Sequence, residues 1–255
     1  MTRVKIAAEK IVKRFGLVGD GVTALDGLDL TVPEGQFLCI LGPSGCGKST
    51  LLFIAAGLEK ATGGAIYVDG KLITGPGRER GMLFQQFALF PWRTARQNIE
   101  FGLEIQKIYR EERWARTQRW LKIMHLEEFA DSFPHQLSGG MQQRVAIARL
   151  LINDPDILLM DEPFAALDAQ TRALLGEELV RVWQESRRTV LFVTHSVDEA
   201  IFLSDRLIIM TKRPGRIKAD LVIDLPRPRD PASDDFNILR REVTRLIRSE
   251  VSATD

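Results

Sequence analysis

Gly42–Thr50 reads GPSGCGKST, a glycine-rich turn that closes on a lysine and a serine. The spacing fits G-x-x-x-x-G-K-[ST]. It lies between the apolar run QFLCIL and a helical pattern, the context that gives the motif its physics. Glycines let successive backbone N–H groups turn inward around a phosphate, and the helix start adds positive partial charge. Gly42, Pro43, Ser44, Gly45, Cys46, Gly47, Lys48, Ser49 and Thr50 are therefore expected to cradle a nucleoside triphosphate. Lys48 is placed to reach the β- and γ-phosphates, and the Ser49 hydroxyl to bind Mg²⁺. Cys46, within this loop, is expected to react with a bulky thiol reagent unless nucleotide protects it.

A second group of chemistry-bearing residues ends the run ILLMDEP. An apolar strand there delivers Asp161 to its polar C-terminal end, where a carboxylate can hold Mg²⁺ directly or through water. Glu162 follows at once and points differently, which suits a general base polarising an attacking water. A solvated surface pair is the plain alternative. The stretch LSGGMQQR is a second paired-glycine turn before a helical run. Ser138 can be simply an N-cap there, and alone the S-G-G pattern favours that reading. His195 ends another apolar strand, TVLFVTH, on the Asp161 side, whereas His125 and His135 read as structural.

These residues need a sheet that gathers strand ends. QFLCILG is a continuous apolar run entering glycine, the pattern of a strand buried on both faces. Lys48–Gly57 reads as a helix stopped by glycine. DILLM, TVLFVTH and RLIIM alternate with helical segments, which predicts a parallel sheet with crossover helices. Upstream, LDLTV places Leu28, Leu30 and Val32 on one face, and AIYVDG closes on a turn, so the N-terminal third reads as antiparallel strands. From about Thr94 to Met124 the pattern is helical, with Trp114, Trp120, Leu121 and Met124 at helix spacing. A second helix is expected after Gly140. Past about Pro214, LPRPRDPASDD reads as a proline-broken linker into an amphipathic helix with Leu239, Val243, Leu246 and Ile247 on one face.

The 255 residues suit one large domain or a domain with an insertion. Formal net charge is +1, so composition points to no nucleic-acid partner. No apolar run approaches the ~18–20 residues that span a bilayer, and the N-terminus lacks a signal peptide's apolar stretch, so a cytosolic protein is expected. Cys39, in a buried strand, and Cys46, in the phosphate loop, are expected to be reduced thiols.

In order, GPSGCGKST, LFQQ, LSGGMQQR, ILLMDEP, AALD and TH resemble the nucleotide-binding subunit of an ATP-binding cassette (ABC) transporter, across almost the whole chain. The resemblance implies an ATPase using ATP and Mg²⁺. It also implies an α/β fold: a P-loop NTPase core with a mainly parallel sheet, an N-terminal antiparallel β subdomain and an inserted α-helical subdomain at about 88–152. Residues 1–225 would form the ATPase domain, and 226–255 a C-terminal linker and amphipathic helix. Two copies would pair head to tail, with Ser138, Gly139 and Gly140 of one facing the γ-phosphate held by the other.

Carried over residue by residue, Gln85 after Phe84 matches the loop glutamine that touches Mg²⁺ and the attacking water; an exposed polar loop residue is its alternative. Asp168 in AALD matches the aspartate that crosses the dimer seam, and it can also cap the helix that follows. His195 matches the switch histidine that contacts the γ-phosphate and orients the water, making Glu162, His195 and Gln85 the implied catalytic set. Phe15 in KRFG matches the aromatic that stacks on adenine, with a core or surface aromatic still open. Ala165 stands where relatives often carry serine or glycine. Soluble cassettes acting on nucleic acid typically insert a coiled coil or fuse two cassettes. A P-loop kinase gives no reason for Ser138–Arg144 or His195.

The segments GPGRERGMLFQ, LFPWRTARQN, EPFAALDAQTR and RPGRI…DLPRPR resemble the nitrate/sulfonate/taurine importer branch, with Pro91–Trp92 and Pro226–Pro228 as its more specific marks. That implies work at the cytoplasmic face of the plasma membrane on separate permease subunits, with an external solute-binding protein. Leu89, Phe90 and Trp92 fall where the family receives a permease helix; subdomain packing is the alternative for each. The cargo never touches this subunit, so its residues do not encode it.

Overall fold

The computed structural model describes residues 3–16 and 21–251. In chain order the first half runs β1 (Val4–Phe15), β2 (Val22–Pro33), β3 (Phe37–Leu41), α1 (Lys48–Ala56), β4 (Gly63–Val68), β5 (Lys71–Leu72), β6 (Arg80–Leu83), α2 (Ala95–Ile105) and α3 (Arg110–Ile123). The second half runs α4 (Gly139–Leu151), β7 (Ile157–Asp161), α5 (Ala169–Ser186), β8 (Thr189–Thr194), α6 (Val197–Leu203), β9 (Arg206–Met210), β10 (Ile217–Val222) and α7 (Asp234–Val251).

Two sheets result. One is antiparallel in the order β2-β1-β4-β5, and the other has the order β10-β9-β3-β8-β7-β6. Within the second, β6, β7, β8, β3 and β9 are parallel, and only β10 runs against its neighbour. The period-2 geometry of strands splits its side chains between two cores. Phe37, Cys39, Leu41, Leu158, Met160, Val190 and Phe192 face the helical side. Leu38, Ile40, Ile157, Leu159, Leu191 and Val193 face α1 and the antiparallel sheet, where Leu28, Leu30 and Val32 of β2 are also buried. A strand buried on both faces must be apolar at every position, and this is why β3, β7 and β8 read as unbroken runs.

The α2–α4 helices lie between β6 and β7 in the chain, as an inserted helical block. The expected helical stretch from Thr94 to Met124 is in fact two helices. It breaks at Gln106–Tyr109, where Lys107 takes a left-handed backbone (φ 57°). Thr94 opens α2 with a capping box to Gln97. Leu121 and Met124 are buried, while Trp114 is 46% exposed.

Beyond Pro214 the linker expectation needs correcting, because β10 pairs antiparallel with β9 there. Its residues are only half-buried or exposed, as expected of an edge strand, so it carries little hydrophobic signal. The segment that follows is also held in place. Arg229 is 7% exposed, and its guanidinium donates to the carbonyls of Ile201, Phe202, Ser204, Ile223 and Leu225. Three of these belong to the last turn of α6 and its C-cap, carbonyls that no intrahelical amide can satisfy. Burial, with the nearby Arg227 charge, pulls the Arg229 guanidinium down to about 10, which still leaves it charged at neutral pH. We expect Arg229→Met to destabilise the fold by about 2–4 kcal/mol, because it leaves several buried acceptors unpaired. Calorimetry should register this as a melting point lower by roughly 5–15 °C; an unchanged melting point would mean that water replaces the guanidinium. Farther on, Phe236 and Val243 of α7 are buried, and Leu239, Leu246 and Ile247 pack on the same core. Among the described residues no helix is long and apolar enough to cross a membrane.

Candidate functional site

Parallel strands place their C-terminal ends on one side of the sheet. The phosphate loop follows β3, Gln85 lies two residues past β6, Asp161 is the last residue of β7, and His195 follows β8. They meet at an open cleft of about 590 Å³ lined by Ser44 to Thr50 with Phe15, Gln85, Glu162 and His195.

The loop's shape depends on Gly47, whose φ is +99°. A Cβ there would stand 2.7 Å from Leu25 Cδ2 and 2.9 Å from the Ala24 carbonyl oxygen. Gly47 is also the N-cap of α1, with no side-chain cap and no acidic residue in the first turn, so that helix start is free to take an anion. Lys48 is 5% exposed, and its ammonium donates to the carbonyls of Gly42 at 2.8 Å and Pro43 at 3.0 Å. Those backbone contacts hold the charge at the mouth of the loop.

Ser49 Oγ donates to Asp161 Oδ1 at 2.9 Å. Burial raises the Asp161 carboxyl above its usual range, and the Ser49 bond partly opposes this. Next to it, Glu162 takes a left-handed backbone (φ 47°), pinned by its N–H donating to the Val193 carbonyl at 3.0 Å. A strained non-glycine residue persists where surrounding bonds hold it, and here the turn aims the side chain at β8. Glu162 Oε2 lies 3.0 Å from His195 Nδ1, a hydrogen bond when that nitrogen carries the proton. The Glu162 side chain is 19% exposed and that of His195 61%, so the pair sits at the water side of the cleft.

Gln85 is exposed at the same cleft. Phe15 is 43% exposed, with the Lys13 ammonium 4.8 Å from its ring centroid, so one face of the ring is taken by a cation. Cys46 departs from expectation. Its side chain is fully buried beneath the loop, and burial raises its thiol, so a bulky reagent meets a protonated, covered sulfur. Cys39 is buried too, and both thiols are free.

Four expected site residues lie away from this cleft. Ser138 and Gly139 are exposed, and a Cβ on Gly139 would meet no atom within 4 Å. Gly140, behind them, faces Leu167. Ser138 does cap α4, its Oγ accepting from the Met141 N–H at 3.3 Å. Asp168 is exposed and caps α5, accepting from the Thr171 N–H at 2.9 Å and the Thr171 hydroxyl at 2.7 Å. Those donors hold its carboxyl below the usual range. None of the four lines the cleft formed by its own phosphate loop.

Of the expected partner-binding residues, Phe90 lines a second groove of about 670 Å³ with Phe84, Phe101 and Ile105. Trp92 is 71% exposed beside it, its ring centroid 5.8 Å from that of Phe90. Leu89 instead packs against the core of the helical block, the subdomain-packing alternative. Sequence reasoning did not single out Val22, Ala24 and Arg213, which also line the phosphate cleft. Val22 and Ala24 lie in an ordinary alternating strand, and Arg213, noted only within the RPGRI segment of the branch resemblance, lies in a bend after β9, so none of the three pointed to the cleft.

Known proteins with this arrangement are numerous. The sequence model of the family described as ABC transporter matches residues 25–165. An uncharacterized ABC transporter ATP-binding protein of Methanocaldococcus jannaschii is 53% identical over 249 residues, 98% of this chain and 93% of the relative. The nitrate import ATP-binding protein NrtD of Synechocystis sp. is 46% identical over 221 residues, 87% of this chain and 83% of the relative. The aliphatic sulfonates import ATP-binding protein SsuB of Bacillus cereus is 42% identical over 238 residues, 93% of this chain and 94% of the relative. Among solved structures, a dimeric bacterial ABC transporter cassette superposes with a TM-score of 0.80 at 36% identity, over 87% of this chain and all of that one. A dimeric post-hydrolysis cassette bound to ADP and Pi gives 0.78 at the same identity and coverage. With the glycine-rich loop, Asp161, Glu162 and His195 gathered at the C-terminal ends of the parallel strands, the chain belongs to the ABC transporter family, as one of its ATP-binding ATPases.

Proposed function

We propose that this chain is the ATP-hydrolysing subunit of an importer for a small oxyanion, working as a head-to-tail dimer on separate permease subunits fed by an external solute-binding protein. One observation carries the dimer. The turn at Ser138 and the Asp168 carboxylate open to solvent, while the chain's own phosphate cleft is left uncovered. A second copy supplies what each lacks. The relatives that import nitrate and aliphatic sulfonates support the cargo class.

In this reading ATP lies along Gly42–Thr50 with its adenine toward Phe15. Lys48 exchanges the carbonyls of Gly42 and Pro43 for phosphate oxygens. The residues fit a Mg²⁺ ion, since Ser49 Oγ and the desolvated Asp161 carboxylate are hard oxygen ligands beside the loop, and Gln85 is within the same cleft. The ion would offset charge on the transferring phosphoryl group. Ser138, Gly139 and Gly140 of the partner copy cover the γ-phosphate with a hydroxyl and two N–H groups. Glu162 accepts a proton from the attacking water, His195 holds that water in line, and Gln85, in the same cleft, helps to orient it. Hydrolysis removes the bridging phosphate and the dimer reopens, so the groove beside Phe90 and Trp92 moves with the helical block and carries the permease helix with it.

The solution mass of Glu162→Gln with and without Mg·ATP tests the seam. We expect a monomer that becomes a dimer only with ATP, and no dimer once Ser138 is also replaced by phenylalanine. Losing the cap costs α4 only about 1 kcal/mol, so the double variant still folds. A dimer unaffected by Ser138→Phe would leave Ser138 as a helix cap and nothing more. Uptake of labelled nitrate, taurine and an alkanesulfonate by cells carrying Glu162→Gln tests the cargo. Loss of one of the three fits, and full retention of all three removes the oxyanion assignment.

A further inference from the structure

A chain of side chains joins the segment proposed for the dimer seam to the histidine proposed for the attacking water. Arg172, in the first turn of α5, donates through Nη2 to the Leu167 carbonyl at 3.0 Å, next to Asp168. Its Nε lies 3.5 Å from Glu199 Oε1. Glu199, in the first turn of α6, accepts from Thr194 Oγ1 at 2.6 Å, and the same hydroxyl oxygen accepts from the Ser196 N–H at 3.0 Å. Thr194 and Ser196 are the two neighbours of His195. Glu199 therefore sets both ends of the short segment that carries the switch side chain.

This link contributes little to stability as it stands. The Glu199 side chain is 11% exposed, and burial raises its carboxyl above the usual range. Covering a carboxylate is costly unless its partner meets it with good geometry. Arg172 does not: its Nε is buried, makes no hydrogen bond, and stands at the long end of ion-pair distance. The slack lies at one joint, between α5 and α6. The bonds on either side of it, to Leu167 and to Thr194, are already made.

We propose that Arg172 and Glu199 are positioning residues that relay the seam to the switch. When a partner copy fixes Leu167 and Asp168, Arg172 closes onto Glu199, and Glu199 then locks Thr194 and Ser196 so that His195 stays at its place beside Glu162. The inference rests on the proposed seam role of Asp168 and water-orienting role of His195. It makes hydrolysis depend on the partner through a contact that touches neither nucleotide nor water.

Steady-state hydrolysis by the full chain tests it, using Glu199→Gln, Arg172→Gln and the double variant. ATP affinity, melting temperature and ATP-dependent dimerisation are measured on each. Glutamine at 199 still accepts the Thr194 hydroxyl, so the local fold is kept while the charge pair is lost. Each single variant is expected to lose about ten- to a hundredfold in kcat, as a small misplacement of a catalytic group does. KM for ATP should stay within about twofold, and the double variant should be no slower than the slower single one, because one link is cut twice. Wild-type kcat in either single variant overturns the relay, as do losses that multiply in the double variant or a KM that rises in step with the loss of kcat. Failure of the underlying reading looks different. A wild-type chain that stays monomeric with ATP and hydrolyses at a rate per chain independent of its concentration has no seam, and the relay falls with it.

Discussion

Glu162→Gln is expected to hydrolyse ATP at least ~10²–10³-fold more slowly than the wild-type chain while still binding it. The geometry argues for this size of effect. Among the described residues, Glu162 is the one carboxylate lining the cleft, and its strained backbone points it at His195. The amide of glutamine keeps the volume and one acceptor, so the left-handed turn and the Val193 bond survive. What it cannot do is take a proton. Asp161, one residue earlier, offers no substitute, because it is 3% exposed and already accepts from Ser49. Hydrolysis rates and nucleotide affinity measured on the same preparation decide the matter. Near-normal turnover would remove Glu162 as the base and leave His195 as the nearest proton acceptor.

The legibility of this site followed from burial. Strands covered on both faces admit only apolar residues, so β3, β7 and β8 stood out, and their polar terminations at Gly42, Asp161 and His195 marked where the cleft would be. The phosphate loop was legible because Gly47 is required by backbone geometry. Elements that make few demands on their residues left no trace. β10 is an edge strand of half-exposed residues among prolines and arginines, so nothing in its composition separates it from a linker. The break between α2 and α3 turns on Lys107, a lysine where glycine or asparagine would have announced a left-handed residue. Arg229 is invisible for another reason. Its burial is balanced by carbonyls that α6 and the stretch from Ile223 to Leu225 present after folding, and backbone acceptors have no sequence signature. Cys46 was misread because a loop that exposes its amides to a ligand must turn its side chains elsewhere, and the sulfur goes to the core.

Lys48→Ala should weaken ATP binding by at least about tenfold, the share expected from a charge-assisted hydrogen bond to phosphate. Two effects compete on the free protein. Removing the ammonium leaves the carbonyls of Gly42 and Pro43 without their donor, which costs stability. It also relieves the desolvation of a cation that is only 5% exposed, which returns part of that cost. The melting temperature without nucleotide should therefore move little, and the loss should appear where phosphate charge is added. Thermal shift measured against ATP concentration separates the two. Wild type should gain stability as ATP rises above its Kd, and Lys48→Ala should need at least about tenfold more nucleotide for the same shift. An identical titration in both proteins would mean that the loop amides and the α1 N-terminus hold the phosphates alone. Lys48 would then serve only to shape the loop through its two carbonyl bonds, and its removal should instead appear as a lower melting temperature in the absence of nucleotide.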